Sequence, residues 1–157
     1  MIEEMTDDQI DAFLRLQVVG RVGCHAAGLT YVVPVIYVWE PGFLSVYTVE
    51  GQKIRMMREN PSVCFEVDEY GPAGGWKSVI AQGEYEELAG EEATHVLDLL
   101  ARRFAERSSG GARQRPSRQD RQPVAFRIRT TEVTGRMVAT ADPGPSPAED
   151  RQSSPVS

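Results

Sequence analysis

Cysteine is scarce in this chain: Cys24 and Cys64 are the only two in 157 residues. Two thiols fit free cysteines better than a disulfide framework, and no cluster of His and acidic residues joins them to suggest a metal site. Positive charge is short as well. The formal net charge is -6, which argues against a general nucleic-acid binder. No apolar run is long enough to span a bilayer, and the first residues, Met1-Ile2-Glu3-Glu4, are acidic where a secretory signal would be basic and apolar. No internal repeat is visible. These shortages leave one cytoplasmic domain with a real core as the expectation.

What is present is a series of short apolar strands broken by turn residues. Thr6 and Gln9 stand at capping-box spacing before Ile10, Phe13 and Leu14, so 6–16 reads as an amphipathic helix that lids the core. A strand is expected over 18–27, ending in the turn Ala26-Ala27-Gly28. The strongest strand is 30–39. Val33, Val35, Tyr37 and Trp39 share one face and Val32, Pro34, Ile36 and Val38 the other, so both faces need cover. One face can fill a barrel; the other must meet a helix or a second subunit. Pro34 donates no N–H, so it marks either an interruption that frees backbone for a ligand or an edge strand.

Pro41-Gly42 turns into a strand over 43–49. Gly51 breaks it, and 53–60 reads as a short helix stopped by Pro61. The first N–H groups of that helix, with Lys53 beside them, can hold a phosphate. Glu50 at the same turn would repel one. The residues alone leave a second reading open, in which Glu50 answers the helix dipole and Lys53 is solvated.

Val63, Phe65 and Val67 alternate in a fourth strand. Trp76 to Leu88 forms a fifth, with a bulge expected at Gly83. Residues 90–106 make the best helix, with Val96, Leu97, Leu100 and Phe104 as the expected buried stripe. Residues 108–122 read as a connector carrying Arg113, Arg115, Arg118 and Arg121. A solvated connector is one reading of them, and an arm contacting an anion or a nucleic-acid backbone the other. Val124, Phe126 and Ile128 alternate in the last strand. Residues 137–157 are expected to be a disordered tail rich in Pro, Ser and Ala. Six strands with two embedded helices favour a barrel. His25 and His95 read as surface residues, Cys24 and Cys64 as small buried ones, and Tyr37 and Trp39 as core or dimer contacts.

Several segments in order resemble one family: Gly20-Arg21-Val22-Gly23-Cys24, the strand around Tyr31 to Val35, Leu44 to Thr48, Gly51-Gln52-Lys53, Asn60-Pro61, Val63 to Asp68, Trp76-Lys77-Ser78-Val79, Phe126-Arg127-Ile128 and Val133 to Arg136. Together they are similar to the pyridoxamine 5′-phosphate oxidase-like flavin-binding split barrels, near the nitroimidazole-resistance branch. The resemblance implies a mainly β fold, a six-stranded split barrel over 1–136 with flanking helices. It implies a homodimer with FMN at the subunit interface and an oxidoreductase function on a small-molecule substrate; the charge and the lack of a spanning run already set aside nucleic acid and membrane as partners. By the same resemblance, Lys53 with the Gly51 and Gln52 backbone would hold the FMN phosphate. Val33, Pro34, Val35 and Ile36 would border the ring, Tyr47 and Thr48 would line the ribityl chain and ring, and Trp76, Lys77 and Ser78 would lie near the flavin, across the dimer. Relatives leave two alternatives: a flavin-binding module without turnover, and a barrel holding deazaflavin F420 or haem. The chain departs from the family twice. It lacks the basic C-terminal region of the vitamin B6 oxidases, and Tyr47 stands where nitroimidazole-resistance proteins commonly carry His.

Overall fold

A computed structural model describes residues 1–107 and 122–140. The arginine-bearing stretch 108–121, expected as a connector, lies outside the described residues. Of the tail expected to be disordered over 137–157, residues 137 and 138 instead end the last strand, Met137 paired on both sides and Val138 on one, and 141–157 lie outside the described residues.

Eight strands and three helices follow in the order β1 (Glu3–Glu4), α1 (Asp7–Leu16), β2 (Val19–Ala26), β3 (Leu29–Ile36), β4 (Val38–Glu40), β5 (Phe43–Val49), α2 (Gln52–Glu59), β6 (Ser62–Tyr70), β7 (Trp76–Leu88), α3 (Gly90–Arg107) and β8 (Pro123–Val138). The sheet is antiparallel throughout, in the order β3-β2-β6-β7-β8-β5-β4, with β1 added on β8. Six of these strands are the expected ones. The count rises to eight because the two-residue β1 pairs at the N-terminus and because the expected 30–39 strand breaks at Tyr37.

That break defines the architecture. Up to Ile36 the chain pairs only with β2; from Val38 it pairs only with β5. One continuous stretch therefore joins the two ends of the sheet order without closing the ladder, and the result is a split barrel. At the break the Tyr37 N–H donates to the Val18 carbonyl at 3.1 Å. The fully buried Tyr37 hydroxyl donates to the Leu14 carbonyl at 2.7 Å. Its ring meets Phe65 edge-on at 5.3 Å between centroids. Beside it, Trp39 is buried and its indole N–H donates to Asp11 Oδ1 at 2.8 Å. Both aromatics thus belong to the core, and both anchor α1 to the barrel. The Thr6–Gln9 capping box is present at the start of α1. Arg103 of α3 donates to the Gln17 carbonyl just past its end.

Alternation fills the barrel. Val22, Leu44, Val46, Phe65, Val67, Val79, Phe126 and Ile128 point inward and are almost wholly buried. Helix α2 adds Ile54 and Met57 to the same core. Gly20 exists for this packing, since a Cβ there would lie 2.2 Å from Phe65. The register of β7 on β8 shifts between Gln82 and Gly83, the expected bulge, where a Cβ on Gly83 would press within 2.5 Å of the Arg129 carbonyl.

One expectation of cover is met in part and one is corrected. Within one subunit the outer face of 30–39 meets a helix only at its end: Val38 packs under α3 with Val96 and Leu100, while Val32 and Ile36 are 59% and 40% exposed and Pro34 is exposed too. The α3 stripe runs through Val96 and Leu100 with half-buried Leu99; Leu97 and Phe104 sit on its flank, 39% and 45% exposed. The helix lies across β4, β5 and β8 and buries only the side that faces them. No helix among the described residues is long and apolar enough to cross a membrane.

Two outcomes test this account. The β2–β3 hairpin turns on Ala27 and Gly28 with φ of 50° and 77°, a turn that favours Asn-Gly. Ala27→Asn should raise the unfolding free energy by roughly 0.5–1 kcal/mol, read from urea midpoints. On the β7–β8 ladder, Glu86 accepts from Arg127 Nε at 2.8 Å and Arg129 Nε at 2.9 Å. Arg127 holds its carboxyl below the usual 4.5, against a smaller upward push from burial. A depressed folded-state value gives stability that is complete above about pH 4.5 and lost as pH falls through the lower folded value. Glu86→Gln should cost roughly 0.5–1 kcal/mol at neutral pH, and its urea midpoint should converge with the parent's in acid.

Candidate functional site

Among the described residues, the break at Tyr37 leaves β3 with one hydrogen-bonded partner and an open edge. The register of β4 on β5 pairs Val38 with Ser45 and Glu40 with Phe43. Continued past the break, it would set Ile36 opposite Tyr47 and Pro34 opposite Val49. Instead the two strands stay near each other without pairing. A proline is tolerated at such an edge, which settles the place of Pro34. Along this seam lie Val33 and Val35 facing the core, Pro34 and Ile36 facing out, and Tyr47 and Thr48 from β5.

The chain leaves β5 directly into α2, so the seam ends at the start of that helix. Gly51 is the N-cap and has no side chain with which to cap the first N–H groups. Its φ of 179° is ordinary extended backbone. Lys53 stands in the first turn and is partly buried. Helix α2 packs on β2, close enough that the Lys53 charge pulls on Cys24: burial pushes that thiol up and Lys53 opposes it. Nine of the twelve expected site residues follow one edge of the barrel: Val33 to Ile36, Tyr47 and Thr48, and Gly51 to Lys53.

Trp76, Lys77 and Ser78 are not part of that group. They start β7 opposite Tyr70, Glu69 and Asp68, at the far end of β6 from α2. The nine residues of β6 span about 26 Å at ~3.3 Å per residue. A small cavity there is shared with Glu69, Met137 and Val138. Within one subunit the structure does not bring these three residues to the seam.

A concavity of about 680 Å³ is lined by none of the twelve. It lies on the outer face of β2, β3, β6 and β7, between Arg21, Val32, Cys64, Glu66, Gln82 and Glu84. Arg21 bridges Glu66 at 2.9 Å and Asp68 at 2.8 Å, and Gln82 Nε2 donates to Cys64 Sγ at 3.6 Å. Burial is the main reason the Cys64 thiol is raised. The histidines are exposed as expected: His25 meets the Thr30 hydroxyl at 2.9 Å and His95 the Glu40 carboxylate at 3.3 Å. Among the described residues no group of three or more His, Cys, Asp or Glu could hold a metal ion.

One part of the site was missed in sequence. Glu50, which stands next to the α2 start, is engaged by Arg58 from the last turn of the same helix, at 2.5 Å. Arg58 also grips Glu87 at 2.7 Å, and the Tyr85 hydroxyl donates to the same Glu87 oxygen at 2.7 Å. Burial pushes the Glu87 carboxyl up, but the bonds from Tyr85 and Arg58 outweigh it and leave it lowered. Glu87 is 29 positions from Arg58, so no local spacing announces the pair. The Glu50 N–H also donates to the Gln122 carbonyl at 2.8 Å.

Comparison with known proteins gives this geometry a context. A crystal structure of a FAD-binding protein from Mesorhizobium loti is 32% identical, covers 88% of this chain and 99% of that one, and superposes with a TM-score of 0.71. An uncharacterized protein of Rhizobium meliloti strain 1021 is 29% identical over 129 residues, 78% of this chain and 85% of its own. A candidate 5-nitroimidazole antibiotic resistance protein from Bacteroides thetaiotaomicron shares the fold at 23% identity, with 87% of each chain covered and a TM-score of 0.68. The sequence pattern of the pyridoxamine 5′-phosphate oxidase family matches residues 6–137. The chain belongs to the pyridoxamine 5′-phosphate oxidase family of split barrels.

Proposed function

We propose that this protein binds a flavin nucleotide along the β3–β5 seam and acts as a flavin-dependent oxidoreductase on a small substrate. The observation that carries the proposal is the meeting of an open, apolar strand edge with the uncapped start of α2 and Lys53. A flavin needs a slot for its ring and N–H or cationic groups for its phosphate. The donor set fits: the Gly51, Gln52 and Lys53 backbone and the Lys53 ammonium for the phosphate, Pro34, Ile36 and Tyr47 for the ring edge, Thr48 for the ribityl hydroxyls. Glu50 does not spoil the fit, because Arg58 holds its carboxylate. When bound, a flavin supplies hydride or single-electron transfer. The chain's own part is to bind, orient and shield. Val33 to Ile36 carry no acid or base, and Tyr47 and Thr48 offer hydroxyls only.

FMN is the proposed cofactor. The Mesorhizobium loti protein favours FAD as the second reading; the two share the phosphate next to the ribityl chain, so one cradle serves either. Release of the bound flavin by heat and its separation by chromatography distinguishes them. The purified protein should take up FMN or FAD and show a flavin spectrum. A protein that binds neither, or that shows a haem or deazaflavin spectrum, overturns the reading.

The second copy follows from uncovered apolar surface. Val19, Val32, Pro34, Ile36 and Ile80 all face outward on β2, β3 and β7. A homodimer through this face would cover them and enclose the large cavity. It would also give Trp76, Lys77 and Ser78 of a second copy a route to the seam that one subunit denies them.

Two outcomes are expected. Lys53→Ala should weaken FMN binding roughly 10- to 100-fold in a fluorescence titration, the scale of one charge-assisted phosphate contact; unchanged affinity removes Lys53 from the site. Val32→Asp should convert a dimer to a monomer by light scattering. A parent protein that is already monomeric overturns the dimer.

A further inference from the structure

We infer that Arg58 is a charge mask for the phosphate end of the site: by engaging Glu50, it permits an anion to sit at the start of α2. The inference rests on the proposed flavin reading and adds a residue to it that touches no ligand.

The argument begins with a conflict. Glu50 directly precedes Gly51, the N-cap of α2. A carboxylate there is itself a suitable partner for the positive end of the helix. It would compete with a phosphate for the same N–H groups and repel it besides. The structure removes Glu50 from that role. Its carboxylate is turned to Arg58 Nη2, and its own backbone N–H is tied to Gln122. Arg58 reaches back from the C-terminal turn of the same helix, so both ends of α2 are linked by one side chain.

What holds Arg58 in place lies outside the helix. Glu87 near the end of β7 takes the Arg58 Nε–H at 2.7 Å. The half-exposed guanidinium would otherwise be free to swing. Tyr85, largely buried against Phe126 at 5.1 Å between ring centroids, fixes Glu87 through its hydroxyl. The chain of contacts runs from the barrel core through Tyr85, Glu87 and Arg58 to Glu50. The group of Arg58, Glu50 and Glu87 keeps one net negative charge, shared by two carboxylates on one guanidinium, where an unpaired Glu50 would bring a full charge to the turn beside Gly51. Arg58 is therefore a positioning residue: it sets where Glu50 points and what charge the phosphate meets.

A purely structural Arg58 and a charge mask make different predictions. Binding of FMN and of riboflavin, which lacks the phosphate, is to be titrated into the full-length parent, Arg58→Gln, Glu50→Gln, Arg58→Lys and the Glu50→Gln/Arg58→Gln double variant. Arg58→Gln should weaken FMN at least 10-fold and leave riboflavin unchanged. The double variant should recover FMN affinity to within about threefold of the parent, because the released charge is gone. Arg58→Lys should stay near the parent, since it keeps the charge and loses the fork; it also serves if Arg58→Gln does not fold. Equal losses for FMN and riboflavin, or no recovery in the double variant, overturn the mask. Lys53→Ala separates this from failure of the flavin reading: if it binds FMN like the parent, the phosphate site itself is misplaced, whatever Arg58 does.

Discussion

The change of partner at Tyr37 is the constraint on which the molecule depends. A strand that kept one register would close the barrel and hide every backbone group in it. Here one residue is withdrawn from both ladders, and its side chain is used as a bolt. The Tyr37 hydroxyl is satisfied by Leu14, its ring by Phe65, and its N–H by Val18. A buried phenol left without an acceptor costs on the order of 1–3 kcal/mol, so α1 must be docked for the break to be tolerated. The lid helix and the split are thus one device. The open β3 edge and the exposed outer face follow from it.

The sequence made the interior readable because alternation is a strong signal. Phe65, Val67, Phe126 and Ile128 are placed inward by period alone, and they are buried. The capping box at Thr6 and the bulge at Gly83 are also local signals and were legible. What the sequence did not show is which partner covers an apolar face. Val32 and Val38 look alike on one strand, yet α3 reaches Val38 and not Val32. Leu97 and Leu100 look alike on one helix, yet only Leu100 meets the barrel. Cover is a property of tertiary placement, and the hydrophobic period carries no information about it.

The candidate site divides in the same way. The edge residues Pro34, Ile36, Tyr47 and the turn at Gly51 lie along one seam because β3, β4, β5 and α2 are consecutive; it was the resemblance, not the periodicity, that grouped them. Arg58 and Glu87 meet only because β7 returns to the end of β5 through β8. The apparent fault in the site, Glu50, was visible in sequence; its remedy was not. Trp76 to Ser78 show the reverse limit, since a resemblance to other proteins groups them with residues that one copy of this chain keeps on other strands, with β2 and β6 between β7 and the β3 edge.

Strand β8 has a consequence for how this molecule comes into being. Its 16 residues pair with β5 through their first half, with β7 along nearly their whole length, and with β1 at their end. During synthesis β2, β3, β6 and β7 can zip together as they emerge, but β5 has no long partner until β8 has left the ribosome. The nascent chain must therefore carry Leu44 and Val46 exposed while some eighty more residues are added. Contacts so distant in sequence make closure slow, and in that interval the half-made sheet depends on dilution or a chaperone to stay apart from its neighbours.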